Sequence, residues 1–161
     1  MRGTLCENLG KQIMWVITKM NRERACSAIL FNGKIIMVKV VEKDHSFWTL
    51  PGGGVEAGES REQAAIREVM EEVNLEINIV RYLFERKYAA GIEYCYLAEP
   101  KDIKKLNIEL GYDPELEDYE QVLKQVEWFE IDKVREDLHV SRVIESLSQE
   151  EINKYNVNVV R

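Results

Sequence analysis

A chain of 161 residues with 45% hydrophobic side chains carries enough apolar material for the core of one compact domain, expected to span 1–161. Its 29 acidic against 22 basic side chains leave a formal charge of -7, which argues against nonspecific docking on a nucleic-acid polymer or an anionic membrane surface. Cys6, Cys26 and Cys95 show no metal-type spacing and read as reduced, buried thiols, while the apolar stretch Ile13–Ile17 falls far short of the roughly 20 residues that span a bilayer, so a cytoplasmic protein is expected.

In chain order, Ala25–Phe31 and Lys34–Val41 are β-favouring runs joined by Asn32-Gly33, a pair suited to the positive φ angles of a tight hairpin. Phe47–Leu50 leads into Pro51-Gly52-Gly53-Gly54, which stops a strand and lets backbone approach a ligand. Ser60 with Gln63 forms a capping box, so a helix starts at Arg61; it ends near Asn74, a residue that tolerates the left-handed closing conformation. Glu76–Tyr88 and Glu93–Leu97 read as a second hairpin with Ala90-Gly91 at its tip. From Pro100 to Glu120 the chain is acidic and aperiodic, which predicts a long functional loop. Gln125–Ile131 is a returning strand, and helical spacing recurs within Asp132–Tyr155.

On a helical wheel advancing about 100° per residue, Ala65, Ile66, Val69, Met70 and Val73 form one apolar stripe, and Glu68, Glu71 and Glu72 cluster opposite, around Ala64. Left alone, like charges at this spacing cost about 0.2–0.5 kcal/mol per pair, so a cation is expected to compensate. Hard oxygen ligands without nearby His or Cys select magnesium, manganese or calcium over zinc, and the small Ala64 leaves room for hydrated ions. Taken alone, the trio also reads as an ordinary solvated acidic face.

The trio is not alone. Gly53, Glu59, Arg67-Glu68-Val69, Glu71-Glu72 and Leu75 stand at the spacings of a known motif, and the segment resembles the Nudix box, with Asn74 where the family carries glycine. The preceding hairpin, the approach Trp48–Gly53 and the strand Glu127-Trp128-Phe129 extend the resemblance over roughly residues 24–134, leaving 1–23 and 135–161 unassigned. The resemblance implies a Nudix-type α/β/α sandwich around a mixed β-sheet, an α/β fold. It implies an enzyme that cleaves the pyrophosphate bond of a nucleoside diphosphate linked to another moiety, with Mg²⁺ as cofactor and Mn²⁺ as a substitute. Glu68, Glu71 and Glu72, with a backbone carbonyl at Gly52 or Gly53, would hold the metal; Glu59 and Arg67 would brace the glycine loop against the helix. The general base is Glu68 or an acid outside the box, for which Glu120 is the choice, also as a metal ligand.

Trp48, Phe47, Tyr94 and Tyr96 could stack on a base, but aromatics at strand spacing are core more often than ligand platforms and none is assigned to binding; His45 and His139 read as surface residues. The expected partner is a small nucleotide, and nothing speaks against a homodimer. A catalytically silent nucleotide-sensing module is the rival reading, disfavoured because such modules lose box carboxylates. An isopentenyl-diphosphate isomerase needs metal-binding histidines that two His can hardly supply.

Overall fold

The structure, a computed structural model, describes residues 22–112 and 122–158. Cys6, Ile13–Ile17 and the acidic stretch that includes Glu120 therefore lie outside the described residues.

The chain opens with β1 (Arg22–Phe31) and β2 (Lys34–Glu42), antiparallel through Phe31 and Lys34, with Asn32 at φ 45° and Gly33 at φ 76° in the expected turn. β3 (His45–Thr49) pairs antiparallel with β2. The glycines do more than stop a strand: β4 (Gly52–Gly54) pairs antiparallel with β1, Gly54 opposite Arg24 and Gly52 opposite Cys26. After the helix α1 (Arg61–Val73) come β5 (Ile77–Tyr88) and β6 (Gly91–Pro100), joined by a turn at Ala89-Ala90. β6 runs parallel to β1, which makes the sheet mixed. β7 (Leu123–Glu130) returns antiparallel to β2, and the short helices α2 (Ile131–Val134), α3 (Leu138–Ser146) and α4 (Gln149–Lys154) follow. The main strand order is β3-β2-β1-β6-β5, with β4 on β1 and β7 on β2.

Strand alternation sends the side chains of β1 to two separate cores. Cys26, Ala28 and Leu30 pack with Val140, Val143 and Leu147 of the C-terminal helices, whereas Ala25 and Ile29 face α1. The result is the expected α/β/α arrangement with helices on both faces of a mixed sheet. Residues 135–158 are part of it, since Val140, Val143, Tyr155 and Val157 are all buried. Cys26 and Cys95, remote in sequence, are buried neighbours in the β1–β6 register and are free thiols.

The caps of α1 follow local chemistry. Ser60 accepts from the Gln63 N–H, the Gln63 side chain accepts from the Ser60 N–H, and Asn74 closes the helix at φ 54°, ψ 42°. Its last carbonyls, which no helical N–H can reach, are met by the following loop: Glu109 donates to Val73 (3.0 Å) and Gly111 to Glu72 (2.9 Å).

The wheel is rotated from its expected setting. Ala64, Ala65, Val69 and Val73 are buried, but Ile66 and Met70 are 40% and 41% exposed. Ala64 packs against Ala25, Tyr94 and Tyr96, so its small side chain serves close approach to the sheet and not space for ions.

Candidate active site

The rotation of α1 turns Glu68 and Glu72 toward the glycine strand. Gly52 donates its N–H to Glu72 Oε2 at 2.9 Å, while its carbonyl accepts from Arg24 Nη2 at 2.9 Å. At Gly53 a Cβ would overlap the Glu68 carboxylate, so the absence of a side chain there is what lets Glu68 lie against the backbone. At Gly52 a Cβ would strike the β1 backbone at Ala25 and Cys26. Close approach of β4 to the helix at Gly53 and to β1 at Gly52 explains two of the three glycines.

Arg67 stands at the middle of the carboxylates. Its Nε and Nη2 reach the two oxygens of Glu59 at 3.1 and 2.7 Å, and Nη2 also donates to the Gly54 carbonyl at 2.9 Å. Nη1 donates to Glu68 Oε1 at 2.9 Å and to Glu71 Oε2 at 3.1 Å. The fork thus ties the loop, the residue that closes the loop and the helix together, a geometry that only a planar guanidinium offers. Glu59 in turn accepts from the Glu56 N–H at 2.7 Å. The Arg67 bonds hold the Glu59 carboxyl below its ordinary range, with the Glu56 N–H adding to the effect.

The other acids are under opposite pressure. Burial raises the Glu68 carboxyl above its ordinary value despite Arg67. Burial also pushes Glu72 up to about 8, with the Glu68 charge adding to the rise and the Gly52 N–H opposing it. Glu71 differs, with a side chain 57% exposed. The three acids therefore do not all project into solvent as the wheel implied: two are tucked under the glycine strand and one lies outside.

Among the described residues no three acidic, histidine or cysteine side chains converge tightly enough to enclose an ion. Glu68 and Glu71 each bond to Arg67, and Glu72 to Gly52. The donor chemistry nevertheless fits a hard divalent cation. All candidate donors are oxygens, and Glu68 and Glu72 are partly buried carboxylates whose mutual repulsion a cation would relieve.

Of the remaining expected residues, Glu120 lies outside the described part of the chain. Trp48 packs edge-on to Phe129 at 4.7 Å, and Tyr94 and Tyr96 are buried under α1, as core residues; Phe47 is 48% exposed. His139 is not a surface residue: its side chain is 12% exposed and its Nε2 lies 3.3 Å from Glu93 Oε1. Arg24 and Glu93 went unnoticed in the sequence. The only early signal for Arg24 was its position at the head of a strand, since its partners come from strands paired across the sheet.

The NUDIX domain family model matches residues 21–147. An RNA pyrophosphohydrolase of Wolbachia pipientis wMel is 44% identical over 91 residues, 55% of this chain and 51% of the relative. A second protein of that name, from Wolbachia pipientis subsp. Culex pipiens, is 46% identical over 61 residues, 36% of this chain and 37% of the relative. The alignments thus span about half or less of these relatives' own length. Among solved structures, a C. elegans Ap4A hydrolase binary complex superposes with a TM-score of 0.59 at 20% identity, covering 83% of this chain and 97% of that one, a likeness of fold. No helix among the described residues is long and apolar enough to cross a membrane.

Proposed function

The chain belongs to the NUDIX family, and on that premise we propose that it hydrolyses the pyrophosphate bond of a nucleoside diphosphate linked to another moiety, with Mg²⁺ as cofactor and Mn²⁺ as a substitute. The observation that carries this reading is the pair Glu68 and Glu72, withdrawn from water against Gly52 and Gly53, with Glu72 pushed up to about 8. Carboxylates destabilised in this way are common where a reaction uses them.

Glu68, Glu71 and Glu72, with the Gly53 carbonyl, would hold the cation, and Glu71 would leave Arg67 to do so. When bound, the ion supplies charge neutralisation at the phosphate oxygens and a lowered pKa for water. The chain's own groups do the rest. Arg67, gripped by Glu59, keeps the glycine strand at a fixed distance from the helix. Glu68 can accept the proton of the attacking water, and Glu120 is the alternative base from outside the box. Retention of all the box carboxylates favours an enzyme over a silent sensing module.

A second reading concerns substrate size. Relatives named RNA pyrophosphohydrolase favour an RNA as the substrate, against the small nucleotide that the resemblance implies. One experiment tests both. Nucleoside triphosphates, oxidised nucleotides, ADP-ribose, nucleotide sugars, dinucleoside polyphosphates and a 5′-triphosphorylated RNA oligonucleotide are incubated with Mg²⁺, and released phosphate or pyrophosphate is measured. Turnover that EDTA abolishes and Mg²⁺ or Mn²⁺ restores is expected; full turnover in chelator, or none on any compound, overturns the proposal.

A further inference from the structure

Glu93 is the one charged residue fully buried among the described residues, at 6% exposure. It sits in a row that crosses four strands: Gly54 of β4 faces Arg24 of β1, Arg24 faces Glu93 of β6, and Glu93 faces Arg86 of β5. Arg86 Nη2 donates to Glu93 Oε1 at 3.0 Å. His139, from α3 on the face away from α1, approaches the same oxygen at 3.3 Å, and because a carboxylate only accepts, His139 Nε2 carries the hydrogen. Burial alone would raise the Glu93 carboxyl, but the His139 bond and the charges of His139, Arg86 and Arg24 outweigh it and hold the carboxyl below its ordinary range.

The other Glu93 oxygen lies 3.6 Å from Arg24 Nε, which is buried without a hydrogen-bond partner, so Glu93 acts on Arg24 through charge. Arg24 then reaches over the strand to the Gly52 carbonyl at 2.9 Å, and the Gly52 N–H holds Glu72 at 2.9 Å. Consecutive glycines have soft backbone angles and do not fix a carbonyl direction by themselves. A buried ion pair is weak evidence of a gain in stability, so the value of the row is to be sought in what it orients.

We propose that Glu93 is a positioning residue: anchored by Arg86 and His139, it orients Arg24, which clamps Gly52 and thereby sets the Glu72 carboxylate and the neighbouring Gly53 carbonyl. The inference rests on the hydrolytic reading for its link to catalysis, although the clamp itself is a property of the metal-free protein.

The test compares Glu93→Gln, which keeps the shape and removes the charge, with Arg81→Gln, which breaks the remote Arg81–Glu151 pair between β5 and α4. Three quantities are read: the Gly52 amide resonance of the metal-free protein by ¹⁵N–¹H NMR, Mn²⁺ affinity by electron paramagnetic resonance titration, and kcat and KM on a substrate found in the panel. Glu93→Gln is expected to displace the Gly52 amide, weaken Mn²⁺ about tenfold and lower kcat about tenfold, with KM within about twofold, the scale seen for groups that orient metal ligands. Arg81→Gln is expected to lower Tm and leave the other readouts in place. If Glu93→Gln lowers Tm but leaves the Gly52 amide and Mn²⁺ affinity as in wild type, the role is merely structural and the proposal falls. Should Glu93→Gln fail to fold, His139→Gln removes one anchor at a partly buried site, and an unchanged Gly52 amide there overturns the proposal equally. Wild-type protein that hydrolyses nothing refutes the hydrolytic reading alone, because the amide shift still decides whether the clamp exists.

Discussion

Replacing Glu72 by glutamine should stabilise the metal-free protein at alkaline pH while removing its activity. In the folded chain Glu72 is raised from an ordinary 4.5 to about 8. The native state therefore holds more protons than the unfolded state between those values, and stability falls as pH rises from about 4.5 through about 8. At about 1.4 kcal/mol for each tenfold change in proton affinity, the upper limit of this loss is about 5 kcal/mol. Residual solvent contact screens the carboxylate, and about 2 kcal/mol is the more realistic figure, equivalent to about 4–8 °C in Tm for a domain of this size. Glutamine mimics the protonated acid and carries no such penalty. In EDTA, Glu72→Gln should melt about 4–8 °C above wild type at pH 8.5, and the gap should close as pH approaches 5. With saturating Mg²⁺ the order should reverse, since only wild type gains from the ion; binding at a hundredfold excess over Kd contributes about 2.7 kcal/mol. Thermal melts across pH 5–9, with and without metal, decide the matter. Parallel Tm curves for the two proteins in EDTA, or a variant less stable at pH 8.5, would refute the reasoning.

The glycines should separate by what their missing Cβ faces. Gly53→Ala displaces the movable Glu68 side chain, so circular dichroism should show a folded protein with turnover reduced at least about a hundredfold, whereas Gly52→Ala strikes β1 backbone and should lower Tm outright. Val69→Ala, at a fully buried position of α1, should cost about 1–3 kcal/mol in urea unfolding and leave turnover per folded molecule close to wild type. Glu120→Gln should reduce turnover at least about a hundredfold, with Glu117→Gln and the exposed strand residue Glu127→Gln near wild type. Sensitivity at Glu117 alone would displace the expected base by three residues, and insensitivity at all three would leave the role to Glu68.

Elements written in local chemistry were legible from the sequence. Asn32-Gly33, the Ser60–Gln63 box and Asn74 each satisfy or open backbone groups within a few residues, and each appears where it was expected. What escaped depends on strands remote in sequence. The parallel pairing of β1 with β6 sets Arg24 beside Glu93 and Cys26 beside Cys95, and no periodicity within either strand announces such a register. His139 was misread for the same reason, since its partner belongs to a strand 46 positions earlier. The acidity and aperiodicity of the stretch after β6 predict a loop but not its anchorage: its described part packs Glu109 and Gly111 on the end of α1.

The misplaced wheel of α1 is the most informative of these differences, because it opposes the rule that apolar side chains choose the buried face. Turning the helix so that Ile66 and Met70, 40% and 41% exposed, went inward would gain only about 1 kcal/mol for each. It would also swing Glu68 and Glu72 away from Gly53 and Gly52, and Ala64 away from Ala25. The observed setting keeps two carboxylates out of water at a cost visible in Glu72 at about 8. That cost is offset locally by Arg67, by the Gly52 N–H and by the close contact that Ala64 and Ala65 make with the sheet. A fold selected for stability alone has no reason to hold this arrangement. One that keeps two oxygen donors poised beside a bare backbone, as the proposed hydrolysis requires, does, and such conflicts between local pattern and global packing are expected at functional sites.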